Sequence, residues 1–170
     1  MKFDGYRTQV HIEAGTARAF TSSGANWTEK YPQIVAAAAR LRCTSAILDG
    51  GVYLPDAGGA SDFAGLPSAI RWHPEQLIFV AFDLLHADRE DLRGRPIESR
   101  RAALADLLRS APASCLAFSE ELGVDGPEAF AAVDAMGLEG IVSKRRGSRY
   151  KSGDTDLWLK TKTFTEGEFE

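Results

Sequence analysis

The chain opens "MKFDGYR", which sets Lys2, the pair Asp4-Gly5 and Arg7 at short fixed offsets. Lysine, Asp-Gly and arginine in that order form a pattern that some phosphoryl-transfer enzymes need. A lysine amine attacks phosphorus only once it is neutral, and an arginine meets phosphate with a planar fork of donors. Four further segments carry chemistry: "LDGG" at 48–51, "FDLL" at 82–85, "LEGIVSK" at 138–144 and "WLKTK" at 158–162. Lys160 and Lys162 lie two apart, so in a strand they share one face. Two ammonium groups on one face suit a polyphosphate, although an exposed strand face carries paired lysines equally well. The run "SKRRGSRYK" gathers Lys144, Arg145, Arg146, Arg149 and Lys151 around Tyr150. It reads either as a phosphate-facing edge or as a solvated basic turn.

Elements must bring these segments together, and the patterning supplies them. "YRTQVHIE" alternates, meets Ala14-Gly15 and is followed by "TARAFTSS", which predicts a hairpin turning near Gly15. "YPQIVAAAARLR" predicts a helix with Pro32 in its first turn. "SAILDGGVYL" and "QLIFVAFDLL" predict strands, the first with glycines at its middle. "SDFAGLPSAI" predicts a short helix with Ser61 as N-cap and Pro67 limiting its length. "IESRRAALADLLRS" places Ile97, Arg101, Leu104 and Leu108 at helical spacing. "SCLAFSEE" predicts a strand, "GPEAFAAVDAMG" a helix from Pro127 to a Gly137 C-cap, and "EGIVSKRR" and "LWLKTKTF" two more strands. Helices and strands mix without a regular βαβ alternation, which predicts an α+β fold with mostly antiparallel sheets and flanking helices.

Composition narrows the class. The 170 residues suit one domain, and 44% hydrophobic with 26% charged residues is ordinary for a globular protein. Net charge is −4, so a global basic footprint for nucleic acid is absent and the basic run is a local exception. No apolar run approaches a membrane span, and no membrane partner is expected. The two cysteines, Cys43 and Cys115, form no framework, which predicts a reducing, cytoplasmic setting. The three histidines are scattered, so no histidine-based metal site is expected.

In their order and spacing the five segments resemble the adenylation domain of ATP-dependent DNA ligases, close to the bacterial end-joining type. The RNA-capping guanylyltransferases belong to the same superfamily, and the spelling "EGIVSK … WLKTK" favours the DNA ligases over them and over RNA ligases. The resemblance runs from Lys2 to about Lys162 and implies the nucleotidyltransferase fold. It implies that Lys2 attacks the α-phosphorus of ATP to give lysyl-AMP. It further implies that Arg7 touches ribose or phosphate, that Phe82 stacks on adenine, and that Glu139 holds Mg2+ or Mn2+. Lys160 and Lys162 would meet the phosphates. Lys144, with the basic residues after it, would meet the same phosphates or the DNA. The implied substrates are nicked or broken double-stranded DNA in repair and recombination, with end-joining proteins as partners.

Departures from that family pattern set a further expectation. Asp49-Gly50-Gly51 stands where the family reads Asp-Gly-Glu, Ser22 where an arginine is usual, and Asp154 where a basic residue is common. Only Met1 precedes Lys2, and the chain stops at Glu170 before the OB-fold domain of family ligases. The expectation is one adenylation domain over 1–170, truncated at its N-terminus, without the C-terminal OB fold and impaired in activity. The alternative is a degenerate module that binds nucleotide or a partner without ligase activity.

Overall fold

The structure is a computed structural model that describes residues 4–109, 111, 115–121, 123, 126–135, 140–153 and 155–162. Lys2, Gly137, Glu139 and Asp154 lie outside the described residues.

The chain begins with a hairpin of β1 (Tyr6–Glu13) and β2 (Thr16–Thr21). Val10 and Ile12 turn one face of β1 into the core, while Arg7, Gln9 and His11 lie on the other. The turn is at Ala14-Gly15, both with positive φ (47° and 76°), a backbone that matches the right-handed twist of the strands it joins. Helix α1 (Pro32–Ala38) has Pro32 in its first turn and buries Ile34, Ala37 and Ala38. It is shorter than "YPQIVAAAARLR" predicts, because Arg40 and Leu41 close in tighter turns onto Ala37 and Ala38. Strand β3 (Ser45–Tyr53) lies beside β1 and leads through a loop to α2 (Leu66–Trp72). That helix starts five residues after Ser61, with Pro67 in its first turn, so Ser61 is not its N-cap. The Ser61 hydroxyl instead accepts the backbone N–H of Asp4.

Strand β4 (Ile78–Ala87), the short β5 (Glu90–Asp91), α3 (Ile97–Leu108), β6 (Leu116–Phe118), α4 (Gly126–Ala135), β7 (Gly140–Lys144) and β8 (Trp158–Lys162) complete the fold. The larger sheet has the order β2-β1-β3-β4-β5, all antiparallel, with β6 added parallel to β4. The smaller sheet is the antiparallel pair β7–β8. This is the predicted α+β class, and the parallel β6 is the part the pattern does not announce. The core is one cluster that joins Val10, Leu48, Val52 and Phe79 of the large sheet to Ile34, Leu66 and Leu104 of the helices. Among the described residues no helix is long and apolar enough to cross a membrane.

The pairing of β3 with β4 carries two register shifts. Asp49 faces Asp83 and Gly50 faces Ala81, so Phe82 between them has no partner on β3. An unpaired residue of this kind is a β-bulge, which bends the strand and re-aims a side chain.

Candidate active site

A cavity of about 780 Å3 lies between the large sheet and the β7–β8 pair, of the size that holds a small organic ligand. Arg7 of β1, Gly51 of β3 and Phe82 at the bulge line one wall, and Lys144, Trp158 and Lys160 line the other. The first two turns of α3 and the chain after β6 close its side through Glu98, Arg101 and Glu121.

Each side chain is held for a local reason. Arg7 grips Asp49 with two bonds, Nε to Oδ1 at 3.1 Å and Nη2 to Oδ2 at 2.7 Å. The Asp49 side chain is fully buried and Arg7 is 42% exposed, so the pair anchors the arginine while part of it still faces the cavity. That bond, with the Asp49 charge, raises the Arg7 pKa above its usual value against the opposing effect of burial. Gly51 sits directly opposite Arg7 in the β1–β3 register, and a Cβ placed there would meet nothing within 4 Å. Gly5 has a different constraint. A Cβ on it would collide with the carbonyl of Val52, so its close approach is to β3.

The bulge at Phe82 has a second effect. The Phe82 carbonyl accepts from Lys144 Nζ at 3.1 Å and from Arg101 Nη1 at 3.2 Å. Arg101 is itself held by Ser119 O at 2.5 Å and Glu121 at 2.9 Å. The Phe82 ring meets Trp158 edge to face, with centroids 5.6 Å apart. Arg7 lies 5.8 and 5.6 Å from these two ring centroids, and Lys144 lies 4.7 and 4.0 Å from them. The cavity is therefore an aromatic pair flanked by two cations. Burial is the main influence that pushes the Lys144 ammonium down to about 8. Arg101 and Arg100 act with it, and Asp83 and Asp49 act against it. An amine of that kind loses its charge within the reach of mild alkali.

Below the cavity lies a pair that sequence reasoning missed. Arg100 and Asp83, both fully buried, join through two bonds of 2.8 and 2.9 Å. Arg100 Nη1 also donates to Arg95 O and to Ser148 O. The helical spacing of "IESRRAALADLL" puts an arginine among apolar positions, and an arginine on a buried face needs a carboxylate. That was the available signal.

The structure brings Arg7, Phe82, Lys144, Lys160 and Arg146 to one cavity. Arg145, Arg149 and Lys151 are exposed and do not line it. Lys162 is exposed and shares the parity of Lys160 on β8. Ser22 lines a separate, smaller cavity with Gln9, His11 and Phe20. Lys2 and Glu139 lie outside the described residues, as does Asp154. Among the described residues no group of three or more histidine, cysteine, aspartate or glutamate side chains is placed to hold a metal ion.

Comparison with known proteins shows the family and the fold. A family model described as "ATP dependent DNA ligase domain" matches residues 1–162. The multifunctional non-homologous end joining protein LigD of Pseudomonas aeruginosa is 38% identical over 170 residues, covering 99% of this chain and 20% of its own length. The LigD of Mycobacterium tuberculosis is 36% identical over 168 residues, covering 98% and 22%. Among solved structures, mycobacterial DNA ligase D complexed with ATP and MES matches with a TM-score of 0.85 at 33% identity, covering 96% of this chain and 53% of that one. The ligase domain of M. tuberculosis LigD matches with a TM-score of 0.83, also at 33% identity, covering 95% and 52%. The chain thus spans about a fifth of the length of these curated relatives.

Proposed function

The chain belongs to the ATP-dependent DNA ligase domain family, and on that premise we propose that it is the adenylating unit of an end-joining DNA ligase. The observation that carries this reading is the single cavity that collects Arg7, Phe82, Lys144 and Lys160 from two separate sheets. A purine needs a flat apolar face, and the Phe82–Trp158 pair offers one. A triphosphate needs several cations at short range, and Arg7, Lys144, Arg146 and Lys160 surround the same space. The solved mycobacterial DNA ligase D complexed with ATP supports the choice of nucleotide.

In this reading the neutral amine of Lys2 attacks the α-phosphorus of ATP. A nitrogen–phosphorus bond forms, the α–β oxygen–phosphorus bond breaks, and pyrophosphate leaves with that electron pair. Arg7 orients the ribose or α-phosphate, Phe82 holds the base, and Lys160 and Lys162 neutralise the leaving phosphates. A divalent ion, Mg2+ or Mn2+, would be held by Glu139 together with nucleotide phosphates, as hard cations with few protein ligands are. When bound, it supplies charge neutralisation at the phosphates. AMP then passes to the 5′-phosphate of nicked or broken double-stranded DNA, in repair and recombination alongside end-joining proteins. The exposed Arg145, Arg149 and Lys151 are the side chains that would contact its backbone. Two cysteines without a partner bridge support a reducing, cytoplasmic place of work.

Gly51 and Ser22 support a second reading, a domain that binds nucleotide and transfers it weakly or not at all. Incubation with α-labelled ATP and Mg2+ or Mn2+ separates the two. Labelling that disappears in Lys2→Ala supports the adenylating unit. Binding of ATP without labelling supports the second reading. Labelling that survives Lys2→Ala removes Lys2 as the nucleophile.

A further inference from the structure

We propose that Tyr150 is a positioning residue of the nucleotide site, which fixes Arg7 through Asp49 and ties the β7–β8 connection to that pair. The part Arg7 plays toward the nucleotide rests on the function proposed above, whereas its fixing by Tyr150 stands on geometry alone.

Asp49 is a buried carboxylate at the middle of β3, and among the described residues Arg7 and Tyr150 are its two side-chain donors. Arg7 takes one bond to each oxygen. The Tyr150 hydroxyl donates to Oδ2 at 3.1 Å and lies 3.5 Å from Arg7 Nη2. Three groups thus close a small ring in which each restrains the other two. Without the hydroxyl, the arginine keeps its two bonds to Asp49, but the carboxylate loses the group that holds it from the other side, and the Arg7–Asp49 pair gains freedom to shift toward the cavity.

The hydroxyl is delivered by a rigid segment. In the connection between β7 and β8, Gly147 N–H donates to the Glu98 carboxylate at 2.9 Å. Ser148 O accepts from Arg100 at 3.1 Å, and Tyr150 N–H donates to Arg93 O at 2.9 Å. Three residues are therefore pinned to α3 and to the loop that leads into it, while Arg145, Arg149 and Lys151 stay exposed. As the aromatic of a basic run, Tyr150 would be expected to face a nucleic acid. Instead its ring turns inward, with the Arg100 guanidinium 6.0 Å from its centroid. Burial and the Asp49 charge raise its pKa above the usual phenol value, so it stays a donor at neutral pH.

Tyr150→Phe keeps the ring and removes the hydroxyl, and two measurements on the full 170-residue chain read its effect. The first needs no nucleotide. Phenylglyoxal modifies accessible arginines, and peptide mass mapping gives the rate at Arg7, with Arg149 as internal reference. We expect Arg7 to react several-fold faster in Tyr150→Phe, at a temperature where both proteins are folded. An unchanged rate would overturn the proposal. The second measurement is a cycle of ATP affinities across wild type, Tyr150→Phe, Arg7→Ala and the double variant. If Tyr150 acts through Arg7, Tyr150→Phe weakens ATP binding several-fold and adds nothing once Arg7 is alanine. Additive losses would assign Tyr150 a general structural part and overturn the proposal. If the wild-type chain fails to bind ATP, the functional reading falls, and the Arg7 reaction rate alone decides the fixing by Tyr150.

Discussion

Gly50 and Gly51 are neighbours on β3 with opposite surroundings. A Cβ on Gly50 would stand 2.5 Å from the Phe79 ring and from the Val80 carbonyl, while one on Gly51 meets nothing and faces the cavity beside Arg7. Gly50→Ala is therefore expected to destabilise the fold by about 1–3 kcal/mol, the usual effect of overpacking. Gly51→Glu is expected to leave stability nearly unchanged and to tighten ATP binding several-fold by adding an acceptor for ribose hydroxyls. Calorimetric titration and urea unfolding check the pair, and unchanged ATP affinity in Gly51→Glu would place residue 51 off the nucleotide. Lys144 gives a pH signature. Its folded pKa of about 8 lies below the 10.5 of an ordinary lysine. Between those values the unfolded chain holds a proton that the folded chain has shed, so stability should rise with pH there. The opposite effect comes from Cys43 and Cys115, whose thiols burial pushes up, and above pH 10 from Tyr31, pushed by burial up to about 12, because these groups keep their protons longer when folded. From pH 8 to 10 the Lys144 contribution should amount to on the order of 2 kcal/mol. Denaturant titrations of wild type and Lys144→Met across that range should differ in slope, and identical slopes would refute the assignment.

At the scale of elements, a fully buried ion pair, Arg100 with Asp83, ties α3 to β4 beneath the cavity. Arg100→Met leaves the Asp83 carboxylate buried without its partner, which typically costs about 3–5 kcal/mol. It also frees Ser148 O. Equilibrium unfolding should show that loss, and a cost below about 1 kcal/mol would mean that water reaches Asp83. Reading elements from sequence worked where one period dominated. The hairpin at Ala14-Gly15, α3 and the strands around "AILDGG" and "FVAFDLL" stand where alternation and helical spacing put them. It failed where tertiary pairing decided. "QLIFVAFDLL" is a nearly continuous apolar run broken within the strand only by Asp83, so nothing within it marks the bulge at Phe82, and the glycines that accompany the bulge lie on the partner strand. The parallel β6 depends on where a three-residue strand finds an edge, which its own residues do not specify. For the site, the segments carrying Arg7, Phe82, Lys144 and Lys160 were legible as motifs. Arg101 was read only as helix spacing and Tyr150 only as part of a basic run, because their partners are carbonyls and carboxylates far away in sequence.

On the scale of the whole molecule, a net charge of −4 coexists with one outward basic edge at Arg145, Arg149 and Lys151. Affinity for duplex DNA should then be steeply salt-dependent yet weak. Replacing those three residues with serine should lower the slope of log affinity against log salt by about 2–3, near 0.9 per lost phosphate contact. Fluorescence anisotropy at stepped salt measures this, and an unchanged slope would move the DNA contact elsewhere. The two sheets also differ in how firmly each is built. The large sheet shares one core with three helices, whereas four of five residues of β8 are exposed and, among the described residues, it pairs with β7 alone. A two-stranded ribbon has little independent stability in water. Amide hydrogens of β7 and β8 should accordingly exchange with deuterium orders of magnitude faster than those of β1 and β3. The wall bearing Lys144 and Lys160 would then peel back without unfolding the wall bearing Arg7, giving a ligand a way in and a product a way out that no rigid-body hinge has to supply.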